Sequence, residues 1–442
     1  MNFNSGAFLL FLPLVMLLYW LLPQKLRWIW LLAASYFFYM YWNPWLVVLL
    51  LTTTLVSYGA ALGMEKWPQR KKPLLWLTLI VCLGILAYFK YANFFLDTAY
   101  RIFGKSSPTL SILLPIGISF YTFQTLSYVI DVYRGDFKAE RHLGYYALFV
   151  VYFPQLVAGP IENPRNLLPQ LRAEYRANWD DFSAGIRLLL CGFFRKCVVA
   201  DFCGIYVNAV FADIEHANAL AIAGAGALFC VQMYCDFAGY SEIAAGSARL
   251  MGVRLMRNFD RPYLSQSYAE FFRRWHISLN QWFTSYLYIP LGGSRKGLGR
   301  KMLNTVIVFA LCGLWHGANW TYVLWGLYAA FWVCLESVLK KPARWAVEQL
   351  AINLQSPVTK LIRRCYMFLI FIPAALLFRA VSVQQIGQIF TKLFTSGADL
   401  GAALQTMGLS SFSLAQLALT LVAMAKLYRW GLYDLPPSRT AD

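Results

Sequence analysis

The chain has 442 residues, of which 59% are hydrophobic, 17% aromatic and only 14% charged. A soluble domain carries about 25% charged residues, and a globule of this size cannot hide so much apolar surface without leaving large exposed patches. Disorder is excluded by the same excess of large apolar groups, which leaves a polytopic membrane protein. The net charge of +18 would suggest nucleic acid in a soluble chain. Here most Lys and Arg sit in short breaks between apolar runs, the pattern of cytoplasmic loops against anionic headgroups. Membrane lipids, and no nucleic acid, are therefore the expected partners.

Apolar runs fall at about 6–22, 28–42, 45–63, 74–96, 111–131, 143–158, 183–212, 219–238, 302–334, 366–380 and 412–430. A helix needs about 20 residues to cross the hydrocarbon core, and backbone polar groups must be satisfied inside lipid. The runs therefore predict an all-α fold with roughly 9–12 transmembrane helices. The short alternating segments of a β-barrel are missing. The run 183–212 reads as a kinked span or a span plus a re-entrant piece, and 302–334 as one or two elements. The first run has no basic region before it and no convincing cleavage site, so it is expected to stay in the membrane. Basic loops holding Lys25 and Arg27, then Lys66 to Lys72, then Arg134 to Arg141, share one side if every early run crosses. That side is the cytoplasm.

Three stretches break the pattern. Residues 160–182 are polar and interrupted by Pro160, Pro164 and Pro169. Residues 249–301 mix Arg254, Arg257, Asp260, Arg261, Arg273, Arg274 and His276 with aromatics. At the bilayer centre each such charge costs about 2.5 kcal/mol or more, so this stretch lies at the interface or lines an enclosed polar cavity, as short amphipathic helices over 268–289 would. Residues 340–365 form a third, basic connection. No loop is long enough for a separate soluble core, so the chain reads as one integral membrane domain, 1–442. Within it, 1–142 are N-terminal helices, 143–335 the core, and 336–442 C-terminal helices. No internal repeat is visible, which weakens a transporter built from duplicated halves.

Of the four histidines, His276 and His316 have the most unusual surroundings. His316 lies in CGLWHGANW, where an imidazole is costly without a polar partner or a wet cavity. Gly313 and Gly317 let a ligand or a neighbouring helix approach, and Trp315 and Trp320 supply flat apolar walls. Cys312 and His316 at i,i+4 are too few ligands for a metal, and none is expected. A cysteine nucleophile on the same helix has a poor attack line, and no GxSxG elbow supports a serine triad. The simplest chemistry is a histidine general base that takes a hydroxyl proton as the oxygen attacks an activated carbonyl.

His276 lies in FFRRWHISLNQW. On a continuous helix it would share a face with Arg273, and Arg273 and Arg274 offer planar donors to phosphate or carboxylate groups. The bland alternative is an interfacial helix on lipid headgroups. Asp236 and Glu242, in CDFAGYSEI, are expected to pair with the arginines of 249–274. Asp131 also reads as structural. The nine cysteines mostly sit in apolar runs and read as small buried side chains.

The ordered set LPIGISFYTFQTLSYVIDVYRG, FPQLVAGPI, YCDFAGYSEIAAG, EFFRRWHISLNQWFTSYLYIPLGG and CGLWHGANWTYVLWG resembles the membrane-bound O-acyltransferase family, and within it the bacterial branch that acetylates envelope polysaccharides. The resemblance implies a ring of membrane helices around a thin centre, in a multi-pass protein of the bacterial inner membrane. It makes His316 the family's catalytic histidine and His276 the second histidine. It implies acetyl-CoA or another cytoplasmic thioester as donor substrate, with no permanently bound cofactor. The acceptor would be an extracytoplasmic polysaccharide or a periplasmic acetyltransferase partner. Arg273 and Arg274 would then guide a donor phosphate. His276 or Asn319 would face the oxyanion, and Asp236 would steady a histidine or an arginine. Glu242 departs from the aspartate of many relatives. D-alanyl transfer from a carrier protein, and a non-enzymatic transporter or scaffold, are the competing classes.

Overall fold

The computed structural model describes residues 1–157 and 159–430, with Arg429 and Trp430 described by backbone alone, and among these residues every regular element is helical. Among the described residues, seven helices are long and apolar enough to cross a membrane: Pro44–Lys66, Pro68–Ile102, Ala219–Arg249, Gly297–His316, Trp320–Gln349, Pro357–Arg379 and Ser411–Tyr428. Gly6–Leu21 is a shorter apolar helix. Their outward residues are the large apolar side chains that composition could not bury. Leu10 is 78% exposed, Ile80 67% and Leu369 73%, a surface suited to lipid rather than water. The fold is that of an all-α polytopic membrane protein.

The other apolar runs become shorter or interrupted helices. Run 111–131 yields Ile118–Arg134, which begins after Gly117. That glycine is at φ 73°, and a Cβ there would stand 2.5 Å from the Leu156 carbonyl oxygen, so no other residue fits without displacing backbone. Run 143–158 splits into Leu143–Val151 and Phe153–Leu156. Run 183–212 is helical throughout but contains a π turn at Phe194–Ala200 between Trp179–Phe193 and Asp201–Ala212. Run 302–334 is two helices, broken at Gly317–Asn319. The basic stretch 340–365 contains the end of Trp320–Gln349 and the start of Pro357–Arg379.

The chain divides into two compact units. The first comprises, of the described residues, those of 1–193 and 239–257. Its centre is the aromatic cluster Tyr121, Tyr128, Tyr146, Phe149, Tyr152 and Phe153, all fully buried. A buried tyrosine needs a partner for its hydroxyl, and Tyr146 finds Ser57 at 2.5 Å while Tyr128 accepts from the Glu140 N–H. Asp131 takes the structural place expected of it, in an ion pair with Arg165. Glu162, in the segment GPIEN, is almost completely buried and accepts from the Met256 N–H and from the Asn166 amide. Burial pushes its carboxyl up to about 7.

The second unit comprises residues 194–238 and 258–430 and contains every expected site residue. Its charged stretch folds as short helices, Tyr268–Arg274 and Ile277–Phe283, followed by a π turn at Thr284–Tyr288. The first of these is held at its start by a reciprocal cap. Ser267 accepts from the Glu270 N–H, and the Glu270 carboxylate accepts from the Gln266 N–H. Glu336, on Trp320–Gln349, accepts from the N–H groups of Tyr268 and Ala269.

Candidate functional site

His316 is the last residue of its helix. Gly317 turns the backbone to extended values, and Asn319 begins the next helix by accepting from the Thr321 N–H at 3.1 Å. The resulting helical hairpin closes very tightly. A Cβ on Gly313 would stand 2.1 Å from the Tyr322 carbonyl oxygen, and one on Gly326 would stand 2.2 Å from that of Phe309. The neighbour that Gly313 admits is therefore the returning helix. His316 is half-buried, with the rings of Trp315, Trp325 and Phe378 at 5.1, 5.3 and 5.2 Å. Apolar walls of this kind exclude water from part of the imidazole.

His276 brings the second imidazole to the same place, with ring centroids 6.5 Å apart. The expected shared helical face with Arg273 does not form. The helix ends at Arg274, Trp275 is extended, and His276 takes the left-handed conformation at φ 45°. A non-glycine residue there costs about 1 kcal/mol or more and persists only where its surroundings fix it. Asn258 supplies much of that fixing. Its backbone carbonyl accepts from the Ile277 N–H, and its Oδ1 lies 3.1 Å from His276 Nδ1, 2.9 Å from Ser278 Oγ and 3.3 Å from the Ser278 N–H. His276 is 2% exposed and packs edge-on against Phe237 at 4.6 Å. Burial, followed by the nearby His316, holds its pKa well below the usual histidine range.

A cavity of about 630 Å³ is lined in part by Phe272, Arg273, Ile277, Asn280, Lys301 and Cys312, and neither histidine is in its wall. Cys312 is one turn before His316. Arg273 is exposed and makes no ion pair among the described residues, while Lys301 donates to Ser337 at 3.0 Å. Two cations on an otherwise mixed apolar wall suit an elongated anionic ligand. Arg274 points elsewhere chemically, into an ion pair with Glu270 at 2.8 Å.

Two expected residues are committed to structural contacts. Asn319 spends its amide on the helix cap and on the Val381 carbonyl at 2.9 Å. Asp236 pairs with Lys196 at 2.6 Å rather than with an arginine, and Lys196 also pairs with Asp201. The correction has a local cause, because the π turn at Phe194–Ala200 carries Lys196 to within ion-pair distance of Asp236 on Ala219–Arg249. Asn258, Trp325 and Phe378 escaped the sequence reading, since a single asparagine or aromatic in such a chain carries no spacing signal. Lys301 appeared there only as a loop charge.

Comparisons with known proteins give the family. The model of MBOAT, the membrane-bound O-acyltransferase family, matches residues 140–378, a span that includes both histidines and the cavity lining. The "Probable alginate O-acetylase AlgI" of Pseudomonas syringae pv. tomato is 39% identical over 100% of this chain and 84% of its own length. The "Peptidoglycan O-acetyltransferase" of Helicobacter pylori is 33% identical over 74% of this chain and 68% of its own. The "Teichoic acid D-alanyltransferase" of Bacillus subtilis is 27% identical over 50% and 59%. With its seven apolar helices, the protein is a multi-pass acyltransferase of the bacterial inner membrane, and the chain belongs to the membrane-bound O-acyltransferase family.

Proposed function

We propose that the protein transfers an acetyl group from a cytoplasmic thioester, acetyl-CoA, toward a hydroxyl outside the membrane, carried by a polysaccharide or by a periplasmic acetyltransferase that completes the modification. The observation that carries this reading is the pair His276 and His316, 6.5 Å apart, together with a 630 Å³ cavity that has Arg273 and Lys301 in its wall and is lined by Ile277, which follows His276, and by Cys312, one turn before His316. The cations receive donor phosphates, and the apolar part of the wall receives the pantetheine arm. His316 accepts the proton of the attacking hydroxyl. The oxygen forms its bond to the thioester carbonyl carbon, the tetrahedral intermediate collapses with cleavage of the C–S bond, and the proton leaves on the thiolate as free thiol. The acetylating relatives, similar over most or all of the chain, support acetyl over D-alanyl.

The test is transfer by the full-length protein in proteoliposomes supplied with radiolabelled acetyl-CoA. Label should pass to an acceptor glycan or partner, and His316→Ala should abolish transfer by at least about 1,000-fold at normal membrane abundance. Undiminished transfer by that variant would remove His316 from the chemistry. Transfer only from a D-alanyl carrier protein would replace the donor.

A further inference from the structure

A second cavity lies in the first unit, among residues that the acyl-transfer reading does not use. It holds about 130 Å³ and is lined in part by Lys25, Arg27, Trp28, Tyr145, Arg172 and Glu174. Its wall is tied together by hydrogen bonds. Tyr19, near the end of Gly6–Leu21, donates its hydroxyl to the Met251 carbonyl at 3.0 Å, and the Gln24 amide donates to that of Ala173 at 3.3 Å. Gly252, at φ 82°, admits the Tyr175 ring so closely that a Cβ would stand 2.2 Å from it. Arg27 is fixed by four contacts. Its Nε donates to the Leu22 carbonyl at 3.2 Å and its Nη1 to that of Tyr175 at 3.0 Å, while the rings of Tyr19 and Trp20 lie 4.9 and 4.8 Å from the guanidinium carbon.

None of these contacts cancels the charge. Carbonyls and ring faces orient a guanidinium, but only an anion neutralises it. Among the described residues Arg27 makes no ion pair, and the Lys25 ammonium makes neither an ion pair nor a hydrogen bond. Arg172 is paired with Glu140 and lies over the Tyr145 ring at 5.2 Å. Glu174, the one carboxylate in the wall, is exposed and pairs with none of these cations among the described residues. The first turn of Gln24–Met40 borders the same space and has no side-chain cap, so the positive end of a helix dipole adds to the field of the two cations.

The size of the space selects the anion. A nucleotide-sized ligand takes about 300 Å³ or more, so a single phosphate-sized group fits here and a nucleotide does not. The surroundings select its source. Leu17 and Leu21 on the last turns of one helix, and Ile29 one turn after Lys25 on the next, are exposed, which gives a phosphate in the cavity neighbouring apolar surface for acyl chains. Trp20, Trp28 and Tyr145 are of the amphipathic aromatic type that gathers at a membrane interface. Lys25 and Arg27 belong to the first loop expected on the cytoplasmic side, whose leaflet carries anionic lipid. We infer that this cavity binds the phosphate of an anionic phospholipid of the cytoplasmic leaflet, with Arg27 and Lys25 as its cations and the acyl chains along Leu17, Leu21 and Ile29. The site belongs to the unit that does not contain His276 and His316, and it does not rest on the acyl-transfer reading.

The test is retention of radiolabelled lipid by immobilised full-length protein in mixed detergent micelles. The two probes are phosphatidylglycerol and phosphatidylcholine, which share the phosphate but differ in that the choline headgroup carries its own cation. Wild type should prefer phosphatidylglycerol by about tenfold. Arg27→Gln and Lys25→Gln should each lower that preference about fivefold. The Lys25 side chain supports no contact in the fold, so this variant reads binding even where Arg27→Gln folds poorly. Glu174→Gln removes the opposing carboxylate and should raise the preference about twofold. Lys72→Gln deletes an exposed charge at the start of Lys71–Leu86, another loop expected on the same side, and should leave it unchanged. No preference in wild type, a preference kept by both cavity variants, or an equal loss in Lys72→Gln would reduce the effect to general surface charge and overturn the site. Displacement of phosphatidylglycerol by inorganic phosphate at equal concentration would make the ligand a free anion and overturn the lipid assignment.

Discussion

Gly313→Ala tests whether the helical hairpin sets the position of His316. The added methyl carbon would lie 2.1 Å from the Tyr322 carbonyl oxygen and 2.9 Å from its carbonyl carbon. Ordinary contact begins at 3.4 Å, so the two helices must separate locally by about 1.3 Å, and the obstacle is backbone that cannot rotate away. Overpacking of this kind costs about 1–3 kcal/mol. The larger effect falls on chemistry, since His316 is three residues further along the same helix and an error of about 1 Å in a reacting group costs about 100-fold. Acetyl transfer in proteoliposomes should therefore fall about 100-fold, with a modest drop in the thermal midpoint followed by tryptophan fluorescence. Gly299→Ala, in the same helix with nothing within 4 Å of its new methyl, is the matched control and should transfer normally. Transfer by Gly313→Ala within about threefold of wild type would mean that the hairpin tolerates opening and does not set the base.

Arg273→Ala and Lys301→Ala should each raise KM for acetyl-CoA about 5- to 10-fold while kcat stays near wild type, the pattern of lost donor binding. Falling kcat at unchanged KM would place these cations at the reaction instead. Glu162 gives a stability prediction with a definite sign. Its folded pKa of about 7 lies above the ordinary 4.5, so its contribution is fully present below pH 4.5 and is lost as pH rises through 7, by about 3 kcal/mol. Glu162→Gln should flatten the fall in thermal midpoint between pH 5 and 8 and exceed wild type at pH 8. Parallel curves for the two proteins would show that Glu162 stays ionised when folded.

The membrane class, the long spans and the two histidines were legible in the sequence, because hydropathy and a dense ordered motif are local signals. The break in 302–334 was legible as an alternative, since Gly317 and Asn319 are poor continuations of a helix and Asn319 is a good start for one. The Arg273–His276 face was misread because helical spacing presumes a continuous helix, whereas Trp275 and His276 leave helical values. The pairing of Asp236 with Lys196 was hidden for a different reason. It depends on a π turn, and no residue pattern in Phe194–Ala200 announces the extra residue per turn. Asn258 was invisible because its role needs Nδ1 of a residue 18 positions away.

The strained junction at His276 is the place where stability and function pull apart. A polar side chain in left-handed backbone, buried at 2% exposure with one nitrogen unmet, carries three costs at a single position. An apolar residue on a continuous helix would relieve all of them. The surroundings instead spend a buried asparagine, a serine and the Asn280 amide, which donates to the Phe272 and Trp275 carbonyls at 2.6 Å, to hold that geometry. Such over-determination gains nothing for the fold that a leucine would not supply more simply. It does gain an imidazole held in place 6.5 Å from a second imidazole, and preorganised polar groups of this kind are worth most in a dry site, where reorientation during the reaction would otherwise raise the barrier.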